Sequence, residues 1–284
     1  MILIADSGST KCDWVLLDSS GEVILRTTTL GLNPAVLPTE ELISIIKSNS
    51  DLAAIFDKVT LVDLYGAGCG TETPKQNLKK ILESLFKNAL VTVQEDMMAA
   101  VYSVTTTPSI VCILGTGSNS CYFDGENAHL ATESLGYIIM DEAAGNFYGK
   151  QLIRDYFYKK MPSEIATQFE AQFNVSPDEI KMNLYKKPNP NAYLASFAKF
   201  IFTTPDQDAY FYNLLSVGVS KFIQNHILCY EQATEVPIHF IGSIAYFSED
   251  IIKESFKNHN LQLGTILQKP MEGLIEYYRK NKLK

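Results

Sequence analysis

Three short stretches carry the residue types that phosphate chemistry needs: Asp6-Ser7-Gly8-Ser9-Thr10, Gly115-Thr116-Gly117-Ser118-Asn119 and Gly242-Ser243-Ile244-Ala245. Each follows a short apolar run, where a sheet strand would deliver its carboxyl end to a ligand. In the first stretch Gly8 lets the backbone approach a ligand, and successive turn N–H groups can form an anion-binding nest. Ser7, Ser9 and Thr10 add hydroxyl donors, and Asp6 could hold a metal ion or a water. The combination suits a phosphate-bearing ligand accompanied by a divalent cation; taken alone it is equally an ordinary polar hairpin. Asp96 follows another apolar run and opens a helix. Its carboxylate could accept a proton from a reacting hydroxyl, or it could cap the helix. Ser243 has the same pair of readings, ligand contact or helix cap, and the Thr116 hydroxyl could instead close its own turn.

The elements that must position these residues alternate clearly in the first half. Residues 2–5 and 14–17 form a strand pair around the first turn, and 22–28 a third strand after the Ser20-Gly21 turn. Residues 39 or 40 to 56 carry Leu42, Ile45, Ile46, Leu52 and Ile55 on a helical period. Then come a strand (59–65), a helix opened by Pro74 and running to about 87, a strand (90–93) and a helix (96–104). Three strands followed by helix–strand–helix–strand–helix predict a mixed sheet flanked by helices. Near residue 110 the strand–small-turn–strand pattern starts again, with 109–114 and 121–123 around the Gly115 turn and Asp124-Gly125 closing the second strand. Beyond Asp141 the pattern is helical: 142–159, 163–173, 191–202, 208–224 and a last helix from about 271, with one late strand, 237–241. No Pro- or Ser-rich linker divides the halves.

Composition bounds the rest. With 284 residues, 46% of them hydrophobic and 20% charged, the chain is globular and long enough for two domains. A net charge of −8 argues against a general nucleic-acid or acidic-membrane binder. The basic end, Arg279, Lys280, Lys282 and Lys284, suits the C-terminus of the last helix. No run approaches the roughly 18 apolar residues of a membrane span, and the start has no basic n-region or sustained h-region. A soluble, cytoplasmic protein is expected. Cys12, Cys69, Cys112, Cys121 and Cys229 form no C-x-x-C pair, and His129, His226, His239 and His259 show no metal spacing.

In order and separation the three turns, with Glu95-Asp96-Met97-Met98-Ala99-Ala100 and Leu135-Gly136-Tyr137-Ile138-Ile139-Met140-Asp141-Glu142, resemble motifs of a known superfamily. They are similar to the phosphate-1, phosphate-2 and adenosine motifs of the actin, sugar-kinase and heat-shock-ATPase superfamily. Within it the best match is the N-acetylglucosamine kinase-like branch, or BadF/BadG/BcrA/BcrD-type ATPase domain. The resemblance implies an α/β fold of two ribonuclease-H-like domains, 1–108 and 109–269, with the helix at about 270–284 packed back on the first and a nucleotide cleft between them. It implies ATP and Mg2+ as ligands, with Ser7–Thr10 and Gly115–Gly117 cradling phosphates, Thr10 and Thr116 facing ATP, and Asp6 holding magnesium through water. Gly242 and Ser243 would lie against the adenosine, and Asp96 would be the catalytic base.

By the same resemblance, Asn33, Asp96, Ser134, Leu135, Gly136 and Asp141 contact the sugar, although Asp141 could instead cap the following helix. The pair Ser134-Leu135 departs from relatives that act on N-acetylglucosamine, which often carry Gly-Trp there; leucine cannot stack on a sugar face. The implied activity is transfer of phosphate from ATP to a hydroxyl of an amino sugar, O6 of N-acetylglucosamine first, with N-acetylmuramate or glucosamine next. A homodimer is a further implication of the family that no residue here derives. A different class, the ATPase activator of 2-hydroxyacyl-CoA dehydratases, needs thiolates for an iron–sulfur cluster; Cys112 and Cys121 flank the second turn, but in apolar strands that favour packing. A binding module without transfer activity is disfavoured by the presence of both Asp6 and Asp96.

Overall fold

Ile2 to Ala5 is apolar at every position, so it can be covered on both faces, and it forms the centre of the first sheet. The computed structural model describes residues 1–8, 10–205 and 209–283. Its elements run β1 (Ile2–Ser7), β2 (Lys11–Leu17), β3 (Val23–Leu30), α1 (Thr39–Lys47), α2 (Ser50–Ala53), β4 (Leu61–Gly66), α3 (Glu72–Leu85), β5 (Leu90–Glu95) and α4 (Asp96–Val104). There follow β6 (Ser109–Leu114), β7 (Ser118–Phe123), β8 (Ala128–His129), α5 (Gly145–Phe157), α6 (Ser163–Gln172), α7 (Pro177–Tyr185), α8 (Pro190–Ser196), α9 (Lys199–Thr203) and α10 (Tyr210–Phe222). The chain ends with β9 (Ile238–Ile241), α11 (Ser243–Phe247), α12 (Glu249–His259), β10 (Leu263–Leu267) and α13 (Met271–Asn281). Two units result, Met1–Thr105 with Pro270–Lys284, and Thr106–Lys269.

In the first unit the strand order is β3-β2-β1-β4-β5: β1 to β3 form an antiparallel meander, and β1, β4 and β5 run parallel. The period of two sorts β1 between two cores. Leu3 and Ala5 join Trp14, Leu16, Leu42, Ile46, Leu78 and Leu82 on one face. Ile2 and Ile4 join Val15, Leu17, Ala99, Leu274, Ile275 and Tyr278 on the other. The second unit has the order β10-β9-β6-β7-β8, again an antiparallel meander from a central strand and two parallel strands on its other side. Its core joins Ile110, Cys112 and Leu114 to helical residues including Tyr148, Phe169, Phe197, Phe200 and Phe222. The two sheets repeat one plan, as the resemblance implies for two ribonuclease-H-like domains.

The structure departs from the expected elements where polar side chains or left-handed residues interrupt the backbone ladder. The helix expected over 39–56 breaks after α1, because the Asn49 side chain accepts from Leu52 N–H (3.0 Å) and starts α2. The Asn49 amide also donates to Thr27 Oγ1 (3.0 Å) and Thr28 O (3.1 Å). The helix expected from 142 begins at Gly145, since Asp141 and Ala143 have φ of 72° and 57°. The 191–202 helix divides into α8 and α9, and the helix expected from Asp208 is α10 followed by a π-helical turn, Ile223–Ile227. Asp208, like Ser9 and Lys284, lies outside the described residues. Helices α7 and α12 and strands β8 and β10 were not anticipated; β10 is irregular, with a register shift between Leu263 and Ile266.

α13 is tied to its sheet by a buried polar chain. Tyr278 donates to Asp63 Oδ2 (2.5 Å) and lies 2.9 Å from the Tyr65 hydroxyl, while Thr92 Oγ1 donates to Asp63 Oδ1. Asp63 is only 6% exposed. Removing one partner would therefore leave a buried acceptor short of a donor. Tyr278→Phe is expected to destabilise the first unit by about 1–3 kcal/mol, read from the midpoint of urea unfolding. An unchanged midpoint would mean that the chain contributes no net stability.

Candidate active site

In the first unit the hairpin sets Asp6 at the end of β1, opposite Asp13 on β2. Burial first, then the charges of Asp96 and Asp13, push the Asp6 carboxyl up to about 7, against a partial offset from Lys11. Lys11 itself pairs with Asp13 at 2.6 Å. Asp96 is the first residue of α4, just past β5, and its carboxyl is pushed up to about 6 by burial and by Glu95, despite hydrogen bonds from backbone N–H groups that favour the charged form. The helix N-cap position belongs to Glu95, so Asp96 does not stand there.

Two residues expected to offer donors are spent inside the hairpin. Ser7 is fully buried and its Oγ accepts from Leu32 N–H at 2.8 Å, while Gly8 N–H donates to Lys11 O at 3.0 Å. They build the turn rather than present free groups from it; Thr10 is exposed, and Ser9 is not described. The Ser7–Leu32 bond also fixes the neighbour of Asn33. The Asn33 Oδ1 accepts from Ala35 N–H (3.0 Å) and packs so closely on Gly68 (φ 78°) that a Cβ there would come within 2.0 Å of it. That acceptor is therefore engaged by its own turn.

In the second unit Gly115 N–H donates to Gly117 O (3.0 Å), and the carbonyls of Gly115 and Thr116 accept from Gly145 N–H (2.8 Å) and Asn146 N–H (3.0 Å) at the start of α5. Asp141 is 6% exposed; Oδ1 accepts from Ser118 N–H (3.1 Å) and Oδ2 from Asn146 Nδ2 (2.7 Å). It neither caps α5, whose N-cap position is Ala144, nor turns its carboxylate to solvent. Gly242 (φ 123°) brings β9 against β6, since a Cβ there would meet Leu114 O at 2.2 Å. Gly242 occupies the N-cap position of α11, so Ser243 is the first helical residue and exposed, not the cap.

The first unit thus brings together Asp6, Asp13 and Asp96, and the second brings together the Gly115 turn, Asp141 and Gly242. Ser134 and Leu135 stand apart, exposed in the 130–140 loop beside the exposed Ile138 and Ile139, with Gly136 at φ 75°. Missed in the sequence were Ser118 and Asn146 as partners of Asp141, and a Glu142 cluster. There Glu142 meets His226 Nε2 (3.0 Å) and Asn225 Nδ2 (3.1 Å) from the π-helical turn. The Asp141-Glu142 doublet was the only local signal, because its partners lie elsewhere in the chain. Cys112 and Cys121 are fully buried, and burial pushes the Cys112 thiol up, away from a ligating thiolate.

No protein-family model matches the sequence, and no curated protein does either. Among solved structures, a "putative N-acetylglucosamine kinase" from Porphyromonas gingivalis is 35% identical, with a TM-score of 0.91 over 99% of this chain and 100% of that one. The chain belongs to the N-acetylglucosamine kinase-like branch of the actin, sugar-kinase and heat-shock ATPase superfamily. A second "putative N-acetylglucosamine kinase", from Chromobacterium violaceum, shares the fold at 15% identity and TM-score 0.75, covering 97% and 98% of the two chains. A glucokinase of the ROK family from Streptomyces griseus, solved with glucose and AMPPNP, shares it at 15% identity and TM-score 0.59, covering 99% and 100%.

For this kinase-like branch the donor set in the first unit fits a hard divalent cation. Among the described residues no group of three or more His, Cys, Asp or Glu side chains is placed as a metal cage. Magnesium needs none, since it keeps waters and takes one or two carboxylates with phosphate oxygens. Burial raises Asp6 most, and the repulsion from Asp96 and Asp13 that adds to it is a charge excess such an ion would offset. Without an ion, the raised carboxyls of Asp6 and Asp96 hold protons that the unfolded chain, titrating near 3.8, has released. Their contribution to stability is full below that value and is lost as pH rises through about 6 and 7. Asp6→Asn is therefore expected to raise the thermal midpoint at pH 8 in EDTA and to leave it nearly unchanged at pH 4. An equal gain at both pH values would place the cause outside this titration.

Proposed function

We propose that this chain, an ATP-dependent phosphotransferase of the sugar-kinase type, phosphorylates a hydroxyl of an amino sugar, N-acetylglucosamine at O6 before any other. The observation that carries this reading is the full-length, 35% identical likeness to the Porphyromonas gingivalis protein, taken with a carboxylate at Asp96. Phosphoryl transfer asks a protein for positioning and charge stabilisation. The sugar oxygen bonds to the γ-phosphorus as the bond to the ADP leaving oxygen breaks, and the hydroxyl proton passes to Asp96. A carboxyl raised to about 6 is a stronger base than an ordinary aspartate and is still largely ionised near neutrality. Asp6 would hold Mg2+ through water, and the ion would supply charge neutralisation at the phosphates. In the first unit Thr10, and in the second Thr116, Gly117, Gly242 and Ser243, are the residues assigned to ATP; ATP as donor also implies a cytoplasmic setting.

Asn33, Gly136 and the neighbouring Ser134 and Leu135 are assigned to the sugar. Leu135, 57% exposed and aliphatic, offers no ring for stacking, so N-acetylmuramate and glucosamine stand as the alternative acceptors. Purified protein with Mg-ATP is expected to release ADP much faster with N-acetylglucosamine than with no sugar, in a coupled assay across a panel of amino sugars. Asp96→Asn is expected to cut kcat by about 100-fold or more while calorimetric ATP affinity stays near that of the parent. A flat response across the panel would remove the kinase reading, and full turnover by Asp96→Asn would leave that residue only a place in α4.

A further inference from the structure

We propose, resting on the kinase reading above, that His226 and Tyr230 are positioning residues for the sugar: their segment, 225–230, holds both ends of the loop that carries Ser134, Leu135 and Gly136. That reading assigns those three loop residues to the sugar. The loop has little packing of its own. Leu135, Ile138 and Ile139 are 57%, 74% and 68% exposed. The tip closes on itself through Ile139 N–H and Met140 N–H, which donate to Gly136 O at 3.2 and 2.8 Å, and Lys150 Nζ donates to Tyr137 O at 3.1 Å. A tip so exposed takes its position from where its ends are fixed, and fixed ends also narrow the conformations open to it.

At the N-terminal end, Ala131 N–H donates to the Tyr230 hydroxyl (3.4 Å), which donates in turn to Ser120 O (2.9 Å). At the C-terminal end, the Glu142 carboxylate accepts from His226 Nε2 (3.0 Å) and Asn225 Nδ2 (3.1 Å). The second grip depends on the π-helical turn. Neighbours in an α-helix stand about 100° apart around the axis, which sends them toward different partners. The bond from Leu228 N–H to Ile223 O (2.9 Å) makes this turn one residue wider, narrows that angle and brings Asn225 and His226 to the two oxygens of one carboxylate. His226 is 7% exposed and its ring stacks on Phe222, centroids 4.8 Å apart, so it has little room to turn aside. Glu142 is flanked by Asp141 and Ala143 at φ 72° and 57°, a region that residues with a Cβ keep only when their surroundings hold them there. The same segment is fastened to β7, because Ser120 Oγ donates to His226 O at 2.7 Å. Both ends of the loop therefore follow one body, and that body is attached to the strand that leaves the Gly115 turn.

His226→Ala is expected to raise the KM for N-acetylglucosamine about tenfold, while the KM for ATP, and ATP affinity by calorimetry without sugar, change less than about twofold. His226→Gln, whose amide can donate to Glu142 from nearly the place of Nε2, is expected to return the sugar KM to within about threefold of the parent. Tyr230→Phe keeps the ring and loses the hydroxyl at the other end of the loop. It is expected to raise the sugar KM about threefold, and it carries the comparison if His226→Ala does not fold. Side chains that only stabilised the unit would lower the active fraction, and so kcat, with both KM values unchanged; that result in the folded variants would overturn the proposal. So would equal rises in the two KM values, or a His226→Gln variant as weak for sugar as the alanine form. If the parent prefers glucosamine or N-acetylmuramate, the same ratios are read with that sugar. A parent with no sugar-dependent ADP release would remove the kinase reading and this proposal with it, whereas an active parent whose variants keep its sugar KM would remove the proposal alone.

Discussion

The first unit is organised around one electrostatic constraint: several carboxylates are held close together, half-buried, near the ends of strands. Asp6, Asp13, Glu95 and Asp96 contribute to that negative field, and Lys11 is the cation that acts against it at Asp6. Such a cluster is unfavourable in the free protein, and it persists because each carboxylate is attached to a strand or helix whose other residues are deeply buried. β1 presents Ile2, Leu3, Ile4 and Ala5 to two cores at once, so Asp6 cannot retreat without withdrawing the central strand. Apolar burial at about 25 cal/mol per Å2 is distributed over many residues, whereas the repulsion is local. The local term loses, and the carboxylate cluster stays assembled.

The two units share a strand order but stabilise their turns by different means. In the first, a serine does the work: Ser7 Oγ holds Leu32 N–H, which fixes the loop carrying Asn33 beside the strand carrying Asp6. In the second, the turn contains two glycines and no carboxylate, and its geometry is imposed from outside by α5 and Asp141. The difference follows from composition. A turn with Asp6 at its edge brings its own charge and needs only an internal hydroxyl. The Gly115-Thr116-Gly117 turn has little conformational preference of its own, so a neighbouring carboxylate and helix must supply it.

Much of this was legible in the sequence because strands buried on two faces leave continuous apolar runs, and the central strands β1 and β6 announced themselves that way. Asp96 opening α4 was legible for the same reason, since the run at 90–93 ended just before it. What escaped were features decided by contacts between distant residues. Asn49 looks like any polar residue on a helix surface until its amide meets Thr27 and Thr28 of β3. Asp141 followed by Glu142 reads as the acidic start of a helix, yet the backbone there is left-handed and the helix waits until Gly145. β10 carries Gly264 where the His239 ring approaches, and an irregular register, so its alternation is weak. The Gly8 amide shows the opposite error: a plausible ligand donor was already taken by Lys11 O.

Chain topology adds a condition on assembly. The first unit is completed only by α13, whose Tyr278 reaches Asp63 and Tyr65 across 215 and 213 residues of sequence. Met271, Leu274 and Ile275 bury against the same face of the sheet as Ile2 and Ile4. Closing so long a loop costs entropy that grows only slowly with its length, but the contacts that repay it arrive last. Until α13 docks, Asp63 would sit on an open sheet face with its Tyr278 donor missing. During synthesis the whole Thr106–Lys269 unit emerges before that donor does, so it can fold as an inserted body while the first sheet waits. The buried tyrosine pair is therefore a closing contact as well as a stabilising one, and it links completion of the carboxylate-bearing sheet to the last residues of the chain.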